Sequence, residues 1–215
     1  MGAGAIAGSG AAAGAGDRPL IATIVLAAGG SSRMTGGHKL LEELGGRPVI
    51  AWSVEAALEA GLGPVLVVIG DRAAAVARAL PHEVACVENP AWASGMAGSL
   101  RLGAAALPDG IHAFAVALGD MPLVRSAHYR TLMGAWTPGA VAIPVHQGRR
   151  GHPVIWSQKF ASEMAELHGD AGARALVDRH TDVVVEVPIG DPGVLVDVDT
   201  RAQLAAARAM LSGEG

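Results

Sequence analysis

Several familiar signatures are missing from these 215 residues, and each absence removes a class of function. A single cysteine, Cys86, excludes an internal disulfide and a thiolate-built metal cluster; lying in the apolar run VACV, it reads as a buried structural thiol. Seven of the eight histidines, those at 38, 82, 112, 128, 146, 168 and 180, show no HxxxH spacing among themselves, which leaves zinc without a ligand frame. Basic residues do not dominate: 16 Lys and Arg against 20 Asp and Glu give a formal charge of −4, with no electrostatic pull toward nucleic acid. No apolar stretch reaches the roughly 18 residues of a membrane helix before a glycine, proline or charge intervenes. Residues 1–16, MGAGAIAGSGAAAGAG, lack the basic start and leucine-rich run of a signal peptide. We read residues 1–18 as a disordered Ala/Gly-rich leader and 19–215 as one α/β domain without internal repeats, in a protein expected to be soluble and cytoplasmic.

Two well-known phosphate loops are absent as well. The glycines at 29, 30, 36 and 37 do not supply GxGxxG, and GxxxxGK[ST] would need glycine where His38 precedes Lys39. What stands at 21–41 instead is IATIVLAAGGSSRMTGGHKLL, a β-branched apolar strand running directly into a Gly/Ser loop with two cations, Arg33 and Lys39. Backbone N–H groups left clear of side chains can wrap a phosphate, and two cations in one loop neutralise the rest of its charge. A polyphosphate is the ligand this chemistry suits.

Downstream, Arg47-Pro48 predicts the opening of a helix carrying Ile50, Val54 and Leu58 and closed by Gly61. PVLVVIG predicts a strand, Asp71 the N-cap of an alanine-rich helix stopping at Pro81, and VACVEN a third strand. This alternation predicts a doubly wound parallel sheet whose ligand lies over the carboxyl ends of the strands. A helix over about 98–107 leads to the strand HAFAVAL, which ends at Gly119-Asp120-Met121-Pro122. Asp120 therefore faces the same crevice as the glycine loop and is placed for a magnesium ion, which takes few protein carboxylates. The remainder predicts a helix at 126–135, a strand AVAIPV, a loop HQGRRGHP, a strand VIW, helices near 158–167 and 171–180, and a strand VVVEV. VLVDVD then precedes a final helix from Thr200, with Asp197 and Asp199 on one face of a strand, either able to complete the metal site. The uneven spacing of these later strands predicts a mixed sheet with at least one antiparallel member.

The stretch LAAGxSxRM with its following lysine resembles the signature of nucleotidyltransferases that load sugars, terpenoid precursors or molybdenum cofactor onto nucleotides. Within that superfamily the chain is most similar to the MobA-like NTP transferases, in particular the molybdenum cofactor cytidylyltransferase branch. The resemblance implies a three-layer Rossmann-like fold. Leu26, Ala27, Ala28, Gly29, Gly30, Ser31 and Lys39 would bind the nucleotide, and Arg33, Lys39 and Asp120 would be catalytic, with Mg²⁺ held by Asp120 and Asp199. NPAWASGMAGSLRLG resembles the family's base-recognition segment and implies nucleotide contacts for Gly95 and Ser99, although a capping role explains that serine equally well. Met96 and Trp92 read as packing. QGRRGHPV resembles the branch's GHP motif and implies acceptor contacts for Arg149, Arg150 and His152, with a solvated loop as the alternative for the arginines. GDAGARAL implies Asp170 as a helix cap, with Arg174 turned to the acceptor or to solvent.

Ala28, where the guanylyl branch has glycine, implies CTP rather than GTP. The implied reaction is transfer of CMP to the phosphate of molybdopterin or its molybdenum form, with a receiving molybdoenzyme as a further partner. Two rivals share the scaffold: a pyridine-nucleotide-dependent oxidoreductase resembling nicotine blue oxidoreductase, and a non-catalytic cofactor-binding chaperone.

Overall fold

The computed structural model describes residues 18–30, 34, 37–169 and 172–213. The expected leader, apart from Arg18, and the expected roles of Ser31, Arg33 and Asp170 lie outside the described residues.

The chain runs β1 (Ile21–Ala27), β2 (Glu43–Leu44), β3 (Arg47–Pro48), α1 (Val49–Ala60), β4 (Val65–Ile69), α2 (Ala73–Arg78) and β5 (Ala85–Glu88). It continues through α3 (Met96–Ala105), β6 (Ala113–Leu118), α4 (Ser126–Ala135), β7 (Val141–His146), β8 (Arg149–Arg150) and β9 (Val154–Ser157). It ends with α5 (Ala161–Ala165), α6 (Arg174–Arg179), β10 (Val184–Pro188) and α7 (Arg201–Ser212). The main sheet has the order β10-β7-β9-β6-β1-β4-β5, with β8 hairpinned onto β7. β6, β1, β4 and β5 are parallel, while β9 runs antiparallel to both β6 and β7. The fold is α/β and Rossmann-like, mostly parallel with the mixed half the uneven strand spacing predicted.

Side-chain alternation along each strand divides the interior into two cores. Ile21, Val25 and Ala27 of β1 pack with Ile50 and Val54 of α1 and Leu132 of α4; Ala22 and Ile24 pack on the other face with Leu100 of α3 and Met164 of α5. Truncating any one of these large buried side chains to alanine costs about 2–5 kcal/mol, so the strand is held firmly from both faces. A smaller third core, including Leu44, Val49, Val198 and Leu204, seats α7 against the β2-β3 hairpin.

Five local expectations are corrected. Arg47-Pro48 forms a strand rather than a first helical turn: a residue before proline is driven extended, which lets Arg47 pair with Leu44 and leaves Pro48 as the N-cap of α1. Gly61 closes that helix in the left-handed region, as expected. Asp71 does not cap α2; its N–H is spent on the carbonyl of Ala28 at 3.1 Å, and the chain turns into the helix at Arg72, φ 50°. Cys86 is exposed, not buried, because β5 is the outermost strand. VLVDVD forms no strand. Pro192–Leu195 is a 3-10 turn capped by Asp191, and the following residues join the fold through a Val198 N–H bond of 2.9 Å to the carbonyl of Asp120. The loop expected at HQGRRGHP is also more regular than anticipated, since β8 turns back onto β7 there.

Candidate active site

β1 has β4 on one side and β6 on the other, and the chain steps from β1 outward to β5 before crossing back to β6. The reversal opens a crevice at the carboxyl ends of these strands, where a doubly wound sheet binds its ligand. The loop leaving β1 enters it. Ala28 is tied to β4 by its bond from Asp71, and Gly119, after β6, donates to the carbonyl of Leu26 at 2.9 Å. Gly119 has a packing reason: a Cβ there would lie 2.5 Å from Ile50 Cδ1 and 3.1 Å from that same carbonyl.

Lys39 begins the 3-10 turn Lys39–Leu41, and its ammonium is bonded by two carboxylates brought from opposite ends of the sequence. One is Asp120; the other is Asp199, whose Oδ1 is 2.6 Å from Nζ. Burial by itself would lower the lysine pKa, but the Asp120 carboxylate and then Asp199 outweigh it, and the ammonium is held above its ordinary value. Asp197 reaches neither the lysine nor any other ion-pair partner among the described residues. The two carboxylates thus converge on a point already occupied by positive charge. They fit a divalent cation that takes its remaining ligands from phosphate and water, and among the described residues no larger cluster of metal-binding side chains exists.

A cleft of ≈ 360 Å³ extends from this point and is lined by Leu26, Ala27, Ala28, Gly29, Gly30, Lys39, Gly95, Ser99 and Asp120. Every described nucleotide residue expected from the sequence therefore lies on one cavity. Three strand spacings of about 4.8 Å separate β6 from β5, so the cleft spans roughly 14 Å, the reach of a nucleoside triphosphate across its base and phosphates. At the β5 end stand two residues the sequence reading set aside as packing. Trp92 lines the cleft and covers the glycine loop so closely that a Cβ on Gly30 would lie 2.8 Å from its ring, and Met96, 48% exposed, is beside it. Gly95, with φ 112° immediately before α3, was the available signal that this segment turns sharply toward a ligand. Ser99 is 4% exposed, and its Oγ accepts from Asn89 Nδ2 at 3.0 Å. Behind the loop, His38 is buried with neither ring nitrogen hydrogen-bonded among the described residues, its Nε2 3.6 Å from Asp71 Oδ2; burial depresses its pKa despite that carboxylate.

Arg149, Arg150 and His152 gather on a second cavity of ≈ 610 Å³, together with Arg174 and an apolar wall of Ile143, Val154, Trp156 and Val177. Arg150 is paired to Glu186 at 2.8 Å, whereas His152 is partly buried with Nδ1 3.5 Å from the carbonyl of Val116. Burial lowers the His152 pKa, opposed by that carbonyl and by the charge of Asp120, which links this cavity electrostatically to the first.

The MobA-like NTP transferase domain profile matches residues 23–184. Nicotine blue oxidoreductase of Paenarthrobacter nicotinovorans is 32% identical over 197 residues, covering 87% of this chain and 96% of that protein. Among solved structures, Rv0371c of Mycobacterium tuberculosis superposes with a TM-score of 0.80 at 27% identity, covering 89% of this chain and 99% of that one. A complex of the same protein with manganese matches at a TM-score of 0.72 and 27% identity over 87% of this chain and 97% of that one. A nucleotidyl transferase from Methanothermobacter thermautotroptrophicus gives a TM-score of 0.80 at 26% identity, covering 91% and 99%.

Proposed function

Because this chain belongs to the MobA-like NTP transferase family and is a nucleotidyltransferase, we propose that it moves CMP from CTP onto the phosphate of a molybdopterin-type acceptor. The observation that carries the reading is the Lys39 ammonium held between Asp120 and Asp199 at the mouth of a glycine-lined cleft.

An oxygen of the acceptor phosphate attacks the α-phosphorus of the triphosphate in line; the bond from that phosphorus to the bridging oxygen breaks, and its electron pair leaves with pyrophosphate. Both reactants are anions, so positioning and charge compensation supply most of the acceleration. Backbone N–H groups from Ala28 to Ser31 hold the phosphates, and Lys39 and Arg33 neutralise charge developing between the α-phosphate and the leaving group. Mg²⁺ bound by Asp120 and Asp199 would add positive charge at the same place. Gly95 and Ser99 receive the base. Arg149, Arg150 and His152 receive the acceptor, whose ring system suits a cavity walled by Trp156 and rimmed by arginine. The methyl of Ala28 narrows the cleft above the end of β1, which favours a single-ring base. We take 19–215 as one catalytic domain of a cytoplasmic enzyme that passes its product to a molybdoenzyme.

Competition kinetics with CTP and GTP on one acceptor test the nucleotide assignment. The expected result is a kcat/KM favouring CTP; a preference for GTP would refute the cytidylyl choice and leave the transfer chemistry standing. The 32% identity to nicotine blue oxidoreductase across most of both chains favours one rival, reduction by a pyridine nucleotide. That reaction has no use for a carboxylate pair opposite a triphosphate loop, and it is recognised by NAD(P)H consumption without pyrophosphate release.

A further inference from the structure

Asn89, just beyond β5, does not itself line the cleft but is hydrogen-bonded to Ser99, which does. The residue is 2% exposed. Its side-chain Oδ1 accepts the N–H of Ala91 at 3.0 Å, which fixes the orientation of the amide: the reverse orientation would set two donors against each other. The NH₂ group therefore faces Ser99 and donates to its Oγ at 3.0 Å. A hydroxyl that accepts at this position keeps its own proton for another partner, and Ser99 is among the residues that line the cleft. The relay runs in one direction: Ala91 N–H to Asn89, Asn89 to Ser99, Ser99 to whatever occupies the cleft.

We propose that Asn89 is a positioning residue that locks Ser99 as a hydrogen-bond donor and thereby sets the base preference. The proposal rests on the reading that this cleft binds a nucleoside triphosphate with its base toward β5. A fixed donor is matched by the adjacent acceptors N3 and O2 of cytosine. The corresponding edge of guanine offers N1–H and an amino group, two donors that would meet the serine proton head-on. Specificity of this kind exceeds what shape alone gives, because a mismatched base leaves a buried polar group without a partner.

Asn89→Asp reverses the relay with almost no change in volume. A carboxylate accepts from both Ala91 N–H and Ser99 O–H, so the serine turns only lone pairs to the cleft. The experiment is calorimetric titration of the full chain with CTP and with GTP, Mg²⁺ present and no acceptor added, for wild type, Asn89→Asp, Ser99→Ala and the double variant. Wild type should bind CTP more tightly. Asn89→Asp should weaken CTP about tenfold and GTP much less, collapsing the ratio. Ser99→Ala should do the same by removing the donor, and adding Asn89→Asp to it should change little. Equal weakening of both nucleotides by Asn89→Asp would overturn the proposal, as would an undiminished effect of that substitution in the Ser99→Ala background. If Asn89→Asp does not fold, as read from its thermal transition, Ser99→Ala decides alone: an unchanged CTP to GTP ratio refutes the relay. Wild type that binds neither triphosphate would overturn the underlying reading instead.

Discussion

Lys39, Asp120 and Asp199 are separated by up to 160 positions in sequence and meet at one point. Lys39→Ala and Asp120→Asn should each lower kcat by about 10²–10³, roughly 3–4 kcal/mol, the cost of removing one preorganised charge from a transition state. Thermal unfolding should remain cooperative in both. Asp120→Asn and Asp199→Ala should each weaken Mn²⁺ binding, measured by titration, whereas Asp197→Ala should leave it nearly unchanged; the opposite ranking of the last two would reassign the second carboxylate. Lys39 and Asp120 were legible in the sequence because each follows a strong strand-to-loop transition. The choice between Asp197 and Asp199 was not legible from alternation, which puts both on one side. In the fold Val198, which is fully buried and bonded to the Asp120 carbonyl, brings Asp199 and not Asp197 to the lysine. Trp92, read from the sequence as packing, does pack on the second core, and it also lines the cleft, which the sequence does not reveal.

Elements close to the cleft carry constraints of their own. Gly70 ends β4 against the glycine loop, where a Cβ would lie 2.7 Å from the Ala28 carbonyl and 2.6 Å from Trp92 Cβ. Gly70→Ala should therefore destabilise by about 1–3 kcal/mol and weaken nucleotide binding as Ala28 is displaced. Gly29→Ala, with none of the described residues within 4 Å of the added carbon, should leave the unfolding midpoint almost unchanged. At the start of α4, His128 Nδ1 accepts the N–H of Arg125 at 3.1 Å, which requires a neutral ring, while Nε2 lies 3.3 Å from Asp191. Burial depresses its pKa below the ordinary 6.5 in spite of Asp191. A histidine with a depressed folded pKa contributes stability in full above the unfolded value and loses it as pH falls below that value and through the folded one. The melting temperature should accordingly drop on acidification below pH 6.5, and His128→Gln, which does not titrate, should flatten that slope; an unaltered slope would exclude this histidine. Strands and helices whose patterns were strong were legible, including α4 at its observed limits of Ser126–Ala135. Short elements were not. The β2-β3 hairpin and the turn at Pro192–Leu195 depend on what packs against them, α7 in one case and the Asp191 cap in the other, and neither leaves a periodic trace.

Across the whole molecule, the sheet reverses its winding at β1 and β6, and among the described residues the glycine loop, Lys39 and Asp120 line the cleft over that reversal. The antiparallel half, with β9 between β6 and β7, carries the arginine-rimmed cavity beside it. The parallel half was readable because each βα unit repeats the same period; the order of the later strands was not, since an antiparallel insertion leaves no mark in hydrophobic pattern. On the proposed reading the first cavity takes the triphosphate and the second the anionic acceptor, as a bisubstrate transferase requires. Among the described residues no helix is long and apolar enough to cross a membrane. The decisive measurement is pyrophosphate release from each of the four nucleoside triphosphates in the presence of Mg²⁺, with and without a molybdopterin acceptor. The account predicts release that requires the acceptor, is fastest with CTP, and falls by about 10² or more in Lys39→Ala. Absence of pyrophosphate with every triphosphate, together with acceptor-dependent consumption of NAD(P)H, would contradict it.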